Sequence, residues 1–593
     1  MIIPPFTAPR LVVSGLSGGG GKTLVSLGLT RALTLRGLRV KPCKKGPDYI
    51  DAAWLGLASG LAPTNLDPYF LSDARLRALF CDTFRDADLA VIEGNRGLYD
   101  GRDLEGSCST ATLARALDAP IILTLSVTKM TRTAAALVAG LAAFEPVRLA
   151  GVVLNRVASV RHAALIRRSI ETYTGIPVLG EIPRLPDNPI PERHMGLVSM
   201  HDESPDAPGR DMLLKALDDL AALVESHLDV DAALGLARSA PELRDVEAFW
   251  ENTGEGNLSE ERLSLPRTPT LPKTFANGDA EAGGTAGDGG TPEGDDVNGE
   301  AGRGKHRKAD LNTGTAQEEK AFSWAAKAAC GETETPCASH TGQADTSRSE
   351  RAASPAPVTI GFVRDAALWF YYEENFEALR RAGAELVELS LFDPEPWPAC
   401  AFGTDGPGLH GLYLGGGFPE MVPERLAASP HLAAIRAYSE AGMPIYAECG
   451  GFMVLCRELR IAGKDYPMSG LFPTRAEFCP RPQGLGYVEA TVETENPFHP
   501  VGAVLRGHEF HYSRCVALGD LTPTLRLSPG VGMSGPGHRA KGLAAQGPDH
   551  LKSRDGLLIR NTFAAYTHLF APAVPHWAPR FVMACRGKSP AVR

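Results

Sequence analysis

Short apolar runs alternate with helical stretches over residues 1–235. Leu11–Val13 is a strand candidate, and Thr23–Gly37 follows as a helix whose apolar side chains recur every three or four positions from Val25 to Leu33. Further strand candidates follow at 89–92, 121–127 and 151–154. Because strands separated by helices favour right-handed crossovers, this pattern predicts an α/β domain with a parallel sheet.

The alternation stops in the middle of the chain. The segment 251–357 is rich in Gly, Ala, Asp and Thr, and its only aromatic residues are Phe275, Phe322 and Trp324. Such a composition buries too little apolar area to offset the entropy of ordering. We therefore predict a largely disordered linker with outer bounds at 236–357.

Globular patterning resumes over residues 358–593. VTIGFV, GLYLGG and PIYAE are strand candidates, and Glu374–Ala382 is a helix candidate. PIYAE leads directly into the glycine-containing segment CGGFMVL. This part of the chain is predicted to form a second α/β domain.

The composition narrows the class of protein. The chain has 593 residues, is 44% hydrophobic and 22% charged, and carries a net charge of −10, which is typical of a soluble protein and not of a nucleic-acid binder. The start lacks a signal-peptide pattern, and the best apolar run, 134–144, is too short to span a membrane. Because the 11 cysteines include no CxxC pair, reduced thiols and a cytoplasmic location are expected.

A glycine-rich loop lies between the first strand and the first helix. Its sequence, VVSGLSGGGGKT, is a variant of the phosphate loop, with one residue more than the standard spacing before the Gly-Lys pair. Glycines let backbone N–H groups approach phosphate oxygens, and the start of the helix adds positive potential. The predicted nucleotide-binding residues are Gly15, Gly18, Gly19, Gly20, Gly21, Lys22 and Thr23. Lys22 is expected to reach the β and γ phosphates, and the hydroxyl of Thr23 to bind Mg²⁺.

Acidic residues follow two later strands. KKGPDYID contains Asp48 and Asp51, and LAVIEGNRGLYDG contains Glu93 and Asp100. The carboxyl edge of an α/β sheet is where ligands bind, and carboxylates there can hold Mg²⁺. A turn or capping role is the default for one such residue, but their joint placement behind a phosphate loop favours a functional site.

A candidate nucleophile lies at a second strand-to-helix turn. IYAECGGFMVL places Cys449 where a nucleophile elbow exposes its side chain beside backbone N–H groups. The helix start is expected to lower the pKa of the thiol. The oxyanion hole is predicted at Gly450 and at Gly416 and Gly417 of the turn GLYLGGGFPE. A buried structural thiol is the alternative.

A cysteine nucleophile needs a base. AAYTHLF offers His568, and GHEFHYS offers His508 and His511 as rivals. We predict His568 as the base and assign the two rivals to structure or substrate contact.

These motifs resemble those of the cobyrinate a,c-diamide synthase family and, more broadly, the dethiobiotin-synthetase-like ATPases. The resemblance rests on GLSGGGGKT, GPDYID, NLD at 65–67, EGNRGLYDG, LNRV at 154–157 and PERHMGL at 191–197. It covers both globular parts, 1–235 and about 358–575, and not the linker. For the second part it implies a flavodoxin-like class I glutamine amidotransferase domain.

For the first part the family implies an ATP-dependent amidoligase. By match of motif, the residues assigned to Mg²⁺ and ATP are Thr23, Asp48, Asp51 and Glu93. Asp100 resembles the residue tied to activation of the substrate carboxylate, and Asn155 and Arg156 resemble readers of the nucleotide base. EGNRG departs from the commoner EGVMG form, so that Arg96 adds a cation beside the acids.

For the second part the family implies that Cys449 forms a glutamyl thioester and releases ammonia, with His568 as its base. The usual class I triad has a glutamate two residues after the histidine. Here that position is Phe570, and the family also lacks the glutamate, so another group is expected to orient the histidine.

The function implied by the resemblance is ATP- and glutamine-dependent amidation of the a- and c-acetate carboxylates of cobyrinate or hydrogenobyrinate, through acyl phosphates. The alternatives are a nickel-sirohydrochlorin a,c-diamide synthase and cobyric acid synthase. From another class, a regulatory or partitioning ATPase would not need the domain that carries Cys449. The expected ligands are ATP, Mg²⁺, glutamine and the corrinoid, without nucleic acid or membrane, and a homodimer stays open.

Overall fold

The structure, a computed structural model, describes residues 4–186, 190, 192–193, 196–197, 209–250, 357–404, 406–533 and 553–587. The predicted linker lies outside these ranges from residue 251 to 356, and so does much of the PERHMGL motif.

The first part of the chain alternates strands and helices, as predicted. Its strands are β1 (Arg10–Gly15), β2 (Val40–Lys45), β3 (Thr64–Leu66), β4 (Leu89–Glu93), β5 (Ile121–Ser126), β6 (Leu149–Val157), β7 (Val178–Pro183), β8 (Glu192–Arg193) and β9 (Gly196–Leu197). Its helices are α1 (Lys22–Leu35), α2 (Tyr49–Ser59), α3 (Asp73–Phe84), α4 (Thr110–Ala116), α5 (Thr133–Phe144), α6 (Val160–Thr174), α7 (Arg210–His227) and α8 (Val230–Arg238).

Seven of these strands form one parallel sheet in the order β3-β2-β4-β1-β5-β6-β7. The chain leaves β1 toward β2 on one side and later enters β5 on the other, so the strand order reverses at β1. Ligands of open α/β sheets bind in the crevice beyond the carboxyl ends of the strands at such a reversal. The last residues of β1, β2 and β4 are Gly15, Lys45 and Glu93, which share this edge.

The apolar face predicted for the first helix packs on the sheet. Val25, Leu29 and Leu33 of α1 are fully buried and share one cluster with Leu11 and Val13 of β1. Each such side chain stabilises the fold by roughly 1.5–3 kcal/mol relative to exposure. This packing fixes the start of α1, and with it the glycine-rich loop, against β1.

The first part continues past the predicted boundary at residue 235. Beyond Arg238, the last residue of α8, Leu243 and Phe6 exchange backbone hydrogen bonds of 2.9 and 3.0 Å. Phe249 is 1% exposed, and its carbonyl accepts a hydrogen bond from Arg75 at 2.6 Å. These contacts lack a helical period, which is why the apolar pattern did not reveal them.

The second part adds further strands and helices. Its strands are β10 (Val358–Val363), β11 (Leu368–Phe370), β12 (Ala384–Leu389), β13 (Gly411–Leu414), β14 (Gly416–Gly417), β15 (Ile445–Glu448), β16 (Cys456–Ile461), β17 (Lys464–Pro467), β18 (Phe472–Phe478), β19 (Gly484–Val492), β20 (Val504–His511), β21 (Ser513–Ala517), β22 (Leu525–Leu527), β23 (Arg554–Asp555), β24 (Leu557–Ile559), β25 (Thr562–Ala565) and β26 (His568–Leu569). Its helices are α9 (Glu373–Arg381), α10 (Pro423–Ala427), α11 (His431–Glu440), α12 (Gly450–Leu455) and α13 (Trp577–Cys585).

A six-stranded sheet in the order β12-β10-β13-β15-β25-β24 forms the centre of the second part. It is parallel except for β24, and it contains the predicted strands β10, β13 and β15. A four-stranded sheet, β17-β16-β18-β21, and a five-stranded sheet, β23-β22-β19-β20-β26, stand beside it. Neither of these two additional sheets was predicted from the sequence.

The two parts pack into one compact unit. The ring of Tyr69 stacks on that of Tyr487 at 4.1 Å, and the Tyr487 hydroxyl donates to Asp67 at 2.8 Å. The rings of Phe70 and Phe570 lie 5.3 Å apart. The segment that begins with the NLD motif is therefore part of the contact between the two parts.

Among the described residues, no helix is long and apolar enough to cross a membrane. The apolar run at 134–144 lies within α5, a helix of 12 residues.

Candidate active sites

The loop after β1 is shaped by its glycines. Gly21 has a φ of 97°, and a Cβ on it would lie 2.1 Å from Nδ2 of Asn155, so only glycine fits there. A Cβ on Gly18 or Gly19 would have no described atom within 4 Å, so this side of the loop is open to a ligand. Asn155 is buried, and Nδ2 donates to the Gly20 carbonyl at 3.1 Å. The side chain predicted to read the base therefore holds the loop in this structure.

Lys22 and Thr23 begin α1. Nζ of Lys22 donates to the carbonyl of Ser17 at 2.9 Å, and burial lowers the pKa of this lysine. The Thr23 hydroxyl donates to Oε1 of Glu93 at 2.8 Å, and the hydroxyl of Ser26 donates to Oε2 at 2.6 Å. The loop lysine is folded back on its own loop, and the carboxylate of β4 is fixed by two hydroxyls of α1.

The predicted metal-binding acids meet around a buried lysine. Nζ of Lys44 lies 2.5 Å from Asp51, 3.1 Å from Glu93 and 3.8 Å from Asp48. Burial acts to lower the pKa of Lys44, but the carboxylates outweigh it and raise the pKa above its usual value. Burial raises the pKa of Asp48 to about 7. It acts in the same direction on Asp51, where the ion pair with Lys44 prevails and leaves the pKa lowered.

The oxygen donors of this site determine which metal ion suits it. Within the described ranges, no three His, Cys, Asp or Glu side chains are grouped as ligands for a metal ion, since the Lys44 ammonium lies between the acids. Glu93 and Thr23 nevertheless offer hard oxygen donors at the start of α1. Mg²⁺ typically takes one or two carboxylates together with substrate phosphates, so this donor set fits it.

The other residues predicted for the first site lie at its rim. Asp100 is exposed, and Oδ2 accepts the backbone N–H of Gly97 at 2.8 Å. Arg96 is exposed with a φ of 52°, and Arg156 is exposed with a φ of 59°. For residues other than glycine these are uncommon conformations, and they cluster at functional sites.

A cavity of about 600 Å³ lies between the two parts. From the first part it is lined by Asp48, Asp51, Asp100, Lys45, Arg96 and Arg102, and from the second by Tyr487, His508 and Phe510. Two of the predicted metal acids, Asp48 and Asp51, and residues of the second part thus face one space. The sequence predicted four acids, Asp48, Asp51, Glu93 and Asp100, at one sheet edge, and it did not indicate that residues of the second part form the other wall.

Cys449 sits in the strained turn that the sequence predicts. Its φ and ψ are 46° and −99°, and its backbone N–H donates to the carbonyl of Ala565 at 2.7 Å. The side chain is 2% exposed, and Sγ donates to the carbonyl of Phe510 at 3.5 Å. Phe510 also lines the cavity, so one residue separates the thiol from it. A non-glycine residue at positive φ between strand and helix is the geometry of a nucleophile elbow.

The expected lowering of the thiol pKa is wrong for this structure. Burial raises the pKa of Cys449 well above its usual value, and the nearby carboxylate of Glu420 adds to the shift. The helix start expected to lower it belongs to α12, a helix of only 6 residues. The thiol is therefore protonated, and a base must remove its proton.

His568 is fully buried beside this turn. Nδ1 lies 3.4 Å from the hydroxyl of Tyr49 and 3.9 Å from Oε2 of Glu448. Nε2 has no hydrogen-bond partner among the described residues. Burial lowers the pKa of His568 well below its usual value, so the imidazole is neutral and able to accept a proton.

The rival histidines lie nearby with different partners. The ring of His508 stacks on that of His568 at 4.7 Å, and Nδ1 lies 3.5 Å from the hydroxyl of Tyr372. His511 bonds through Nδ1 to the carbonyl of Ser513 at 2.7 Å and stacks on the ring of Tyr566. Burial lowers the pKa of His508 to about 3 and that of His511 to about 4.

The glycines predicted for the oxyanion hole surround the same histidine and turn. A Cβ on Gly416 would lie 2.4 Å from Cε1 of His568, and a Cβ on Gly450 would lie 2.9 Å from the backbone N of Gly417. A side chain at Gly416 would therefore collide with the ring of His568, and one at Gly450 would collide with the backbone of Gly417. The three glycines are thus brought together by β14 and the start of α12.

Three residues absent from the predicted site stand close to its chemistry. Lys44 pairs with the acids, and Tyr49 and Glu448 face Nδ1 of His568. In the sequence, these residues stood out only by their position beside predicted site residues. Lys44 and Tyr49 belong to the KKGPDYID segment, and Glu448 directly precedes Cys449. Their position does not indicate which side chain each residue contacts.

Comparison with known proteins divides the chain in the same two parts. Residues 11–198 match the model of the CobQ/CobB/MinD/ParA nucleotide binding domain, and residues 359–574 match that of the CobB/CobQ-like glutamine amidotransferase domain. The cobyrinate a,c-diamide synthase of Magnetococcus marinus is 34% identical over 97% of this chain and 97% of its own. The hydrogenobyrinate a,c-diamide synthase of Streptomyces coelicolor is 33% identical over 98% of both chains. The cobyrinate a,c-diamide synthase of Archaeoglobus fulgidus is 31% identical, again over 98% of both.

Proposed function

The chain belongs to the cobyrinate a,c-diamide synthase family, and from this premise we propose that it uses ATP and glutamine to convert the a- and c-acetate carboxylates of cobyrinate or hydrogenobyrinate to amides. One observation supports this proposal above the others. A single cavity is lined by Asp48, Asp51 and Asp100 and by Phe510, whose carbonyl accepts a hydrogen bond from the thiol of Cys449. Ammonia released at one site must reach the carboxylate activated at the other, so the two sites need such a shared space.

The first chemical step activates the acceptor. A carboxylate oxygen of the macrocycle attacks the γ-phosphorus of ATP, the bond to the bridging oxygen breaks, and ADP leaves. Lys22 and the loop N–H groups stabilise the charge on the transferring phosphoryl group. Ammonia then attacks the acyl carbon, loses a proton, and inorganic phosphate leaves. Two rounds give the a,c-diamide.

Mg²⁺ would be held by Thr23 and Glu93, and the ammonium of Lys44 links Glu93 to Asp48 and Asp51, the other two acids proposed for the metal. When bound, it would neutralise charge on the phosphate groups of the nucleotide. The ion pair with Lys44 lowers the pKa of Asp51 and so keeps this carboxylate ionised until the nucleotide arrives, because a buried carboxylate without a cation would take up a proton.

Glutamine supplies the ammonia in the second part. Neutral His568 takes the proton of the Cys449 thiol, and the sulfur attacks the carboxamide carbon of glutamine. The tetrahedral oxyanion is stabilised by backbone N–H groups among Gly416, Gly417 and Gly450. The proton passes to the leaving nitrogen, ammonia departs, and water hydrolyses the glutamyl thioester to glutamate.

The cations of the cavity suit a polycarboxylate. Lys45, Arg96 and Arg102 line the same wall as Asp48 and Asp100. A corrinoid with several acetate and propionate groups would place one carboxylate at the phosphate loop and others on these cations. Because the reaction needs ATP and a reduced thiol, we place the enzyme in the cytoplasm.

A substrate panel tests the proposal. The protein is incubated with ATP, Mg²⁺ and glutamine and with cobyrinate, hydrogenobyrinate or nickel-sirohydrochlorin, and products are read by mass. We expect a gain of two amide groups on cobyrinate or hydrogenobyrinate. Amidation of nickel-sirohydrochlorin alone, or of four other carboxylates, would assign the chain to one of the alternative reactions.

A further inference from the structure

The histidine base of the second site lacks its usual orienting residue. A class I glutaminase uses a glutamate two residues after the histidine, and here Phe570 occupies that position. Its ring is fully buried, 5.3 Å from that of Phe70 and 5.0 Å from that of Tyr372. Phe570 therefore packs the contact between the two parts and cannot orient an imidazole. Another group must hold Nδ1 if Nε2 is to face the thiol.

Glu448 is one such group. Its side chain is 1% exposed, and Oε2 lies 3.9 Å from Nδ1 of His568. Oε1 accepts the backbone N–H of Leu569 at 2.9 Å, and Oε2 accepts the hydroxyl of Tyr413 at 3.1 Å. These two bonds fix the carboxyl group, and the first ties it to the residue next to the histidine. Glu448 thus has one orientation, with an oxygen toward the imidazole.

Tyr49 is the second group, and it comes from the other part of the chain. Its hydroxyl lies 3.4 Å from Nδ1 of His568. The ring is held by Phe370, which it stacks on at 4.9 Å, and by Tyr372 at 4.6 Å. Tyr49 is also the first residue of α2, directly after Asp48, so it is attached to the loop that carries the metal acids.

We propose that Glu448 and Tyr49 are the positioning residues of the glutaminase base, holding the His568 imidazole through Nδ1. This inference rests on the proposed function. With Nδ1 protonated and directed at these oxygens, Nε2 keeps the free lone pair that accepts the thiol proton. Oε2 of Glu448 then lies next to the imidazolium that forms. Part of the orienting apparatus of the glutaminase therefore belongs to the ATP-binding part.

The test compares isosteric variants with matched controls in the full-length protein. Tyr49→Phe removes only the hydroxyl, and its control is Tyr446→Phe, because the Tyr446 hydroxyl lies at the same 3.4 Å from a different buried histidine, His499. Glu448→Gln replaces one carboxyl oxygen by an amide nitrogen and keeps the size of the side chain, and its control is Glu374→Gln, the same change at a buried glutamate on α9. For each variant kcat and KM of glutamine hydrolysis are measured, together with synthesis from ammonium.

A positioning role predicts a loss in kcat without a change in KM for glutamine. Glu448→Gln should lower kcat about 10²-fold, and Tyr49→Phe about tenfold, the usual value of one hydrogen bond to a reacting group. Both controls should stay within about twofold of the unsubstituted protein. The double variant Tyr49→Phe/Glu448→Gln should lose less than the product of the single losses, because both act on one imidazole.

Several outcomes would overturn the inference. The first is a loss in kcat no larger than that of the controls, and the second is a rise in KM as the main effect. The third is a loss in the double variant equal to the product of the two single losses. Should Glu448→Gln fail to fold, Tyr49→Phe against Tyr446→Phe decides by itself. Failure of the proposed function looks different, since the unsubstituted protein would then make no amide from either glutamine or ammonium.

Discussion

The two candidate sites hold their polar groups in opposite ways. In the first part, the ammonium of Lys44 lies within 3.8 Å of three carboxyl groups, so each of these acids has a cation beside it. In the second part, Cys449 and His568 are buried and neutral, and Nε2 of the histidine has no partner among the described residues. Burial raises even the pKa of the neighbouring Glu448, to about 8.

The difference follows from what each site must accept. ATP and Mg²⁺ bring charges of both signs. When they bind, a carboxylate that gives up its ion pair with a lysine can bind Mg²⁺ instead, so no buried carboxylate is left without a cation. Glutamine brings no net charge to the cysteine, and the attack needs a dry, neutral pair in which one proton moves. The comparison therefore predicts that the chemistry of each site can be removed without removing that of the other.

Cys449→Ala should produce the largest effect. Glutamine-dependent synthesis should fall by several orders of magnitude because the thioester can no longer form, while synthesis from ammonium should persist. His568→Ala should act in the same direction but less completely. Product mass with each nitrogen source is the measurement. The matched control is Cys456→Ala, which removes another buried thiol at the far end of α12. Loss of ammonium activity in Cys449→Ala would show that the sites are not separable.

Lys22→Ala should abolish synthesis with both nitrogen sources. Its ammonium is expected on the phosphates, and loss of one such group costs about 10²–10³-fold in rate. Glutamine hydrolysis should continue. The control is Lys215→Ala, an exposed lysine of α7. Full ammonium-dependent activity in Lys22→Ala would remove the phosphate loop from the mechanism.

Lys44→Met should lower the stability of the folded protein by removing the cation of the first site. It leaves three neighbouring carboxylates without their cation, and breaking a buried ion pair costs about 3–5 kcal/mol. The urea midpoint should fall accordingly. Millimolar Mg²⁺ should recover part of the loss if the same oxygens accept a cation, since a ligand of the folded state stabilises it. An unchanged midpoint would mean that the acids do not depend on Lys44.

Glu374→Gln should alter the pH dependence of stability. Burial raises the pKa of Glu374 to about 7, so between its usual value and 7 the folded chain holds a proton that the unfolded chain has lost. Stability therefore falls as pH rises through this window and stays lowered above it, by about 3 kcal/mol for this group. Urea midpoints at about pH 5 and pH 8 should differ less in the variant. An equal difference would show that this carboxyl does not stay neutral.

Asp100→Asn should have the smallest effect. The sequence analysis predicted that Asp100 takes part in activating the substrate carboxylate, so amidation should be impaired and glutamine hydrolysis spared. Its exposure and its single bond to the Gly97 N–H make a loss of only several-fold our expectation. Steady-state rates with ammonium measure the first effect and glutamate release the second. A loss in glutamate release would contradict the second expectation, and full amidation with ammonium would contradict the first.

The sequence was most informative where function and local structure coincide. Lys22 follows a strand and a glycine run, and Cys449 follows a strand and precedes two glycines, so local order alone located both. The predicted strands of both central sheets are present for the same reason. The additional sheets of the second part were missed because much of their length is only partly buried, as in β18, and the apolar alternation is weak.

The sequence by itself determined the two α/β parts, the phosphate loop, the elbow and the acids at one sheet edge. Only the tertiary structure decided which groups surround His568. Tyr49 and His568 are 519 positions apart, and they meet because Phe70, Tyr69 and Tyr487 pack the two parts together. Periodicity reports only on neighbours within a few turns or pleats. Burial by a distant segment sets both the partners and the pKa of a side chain, and no local pattern contains that information.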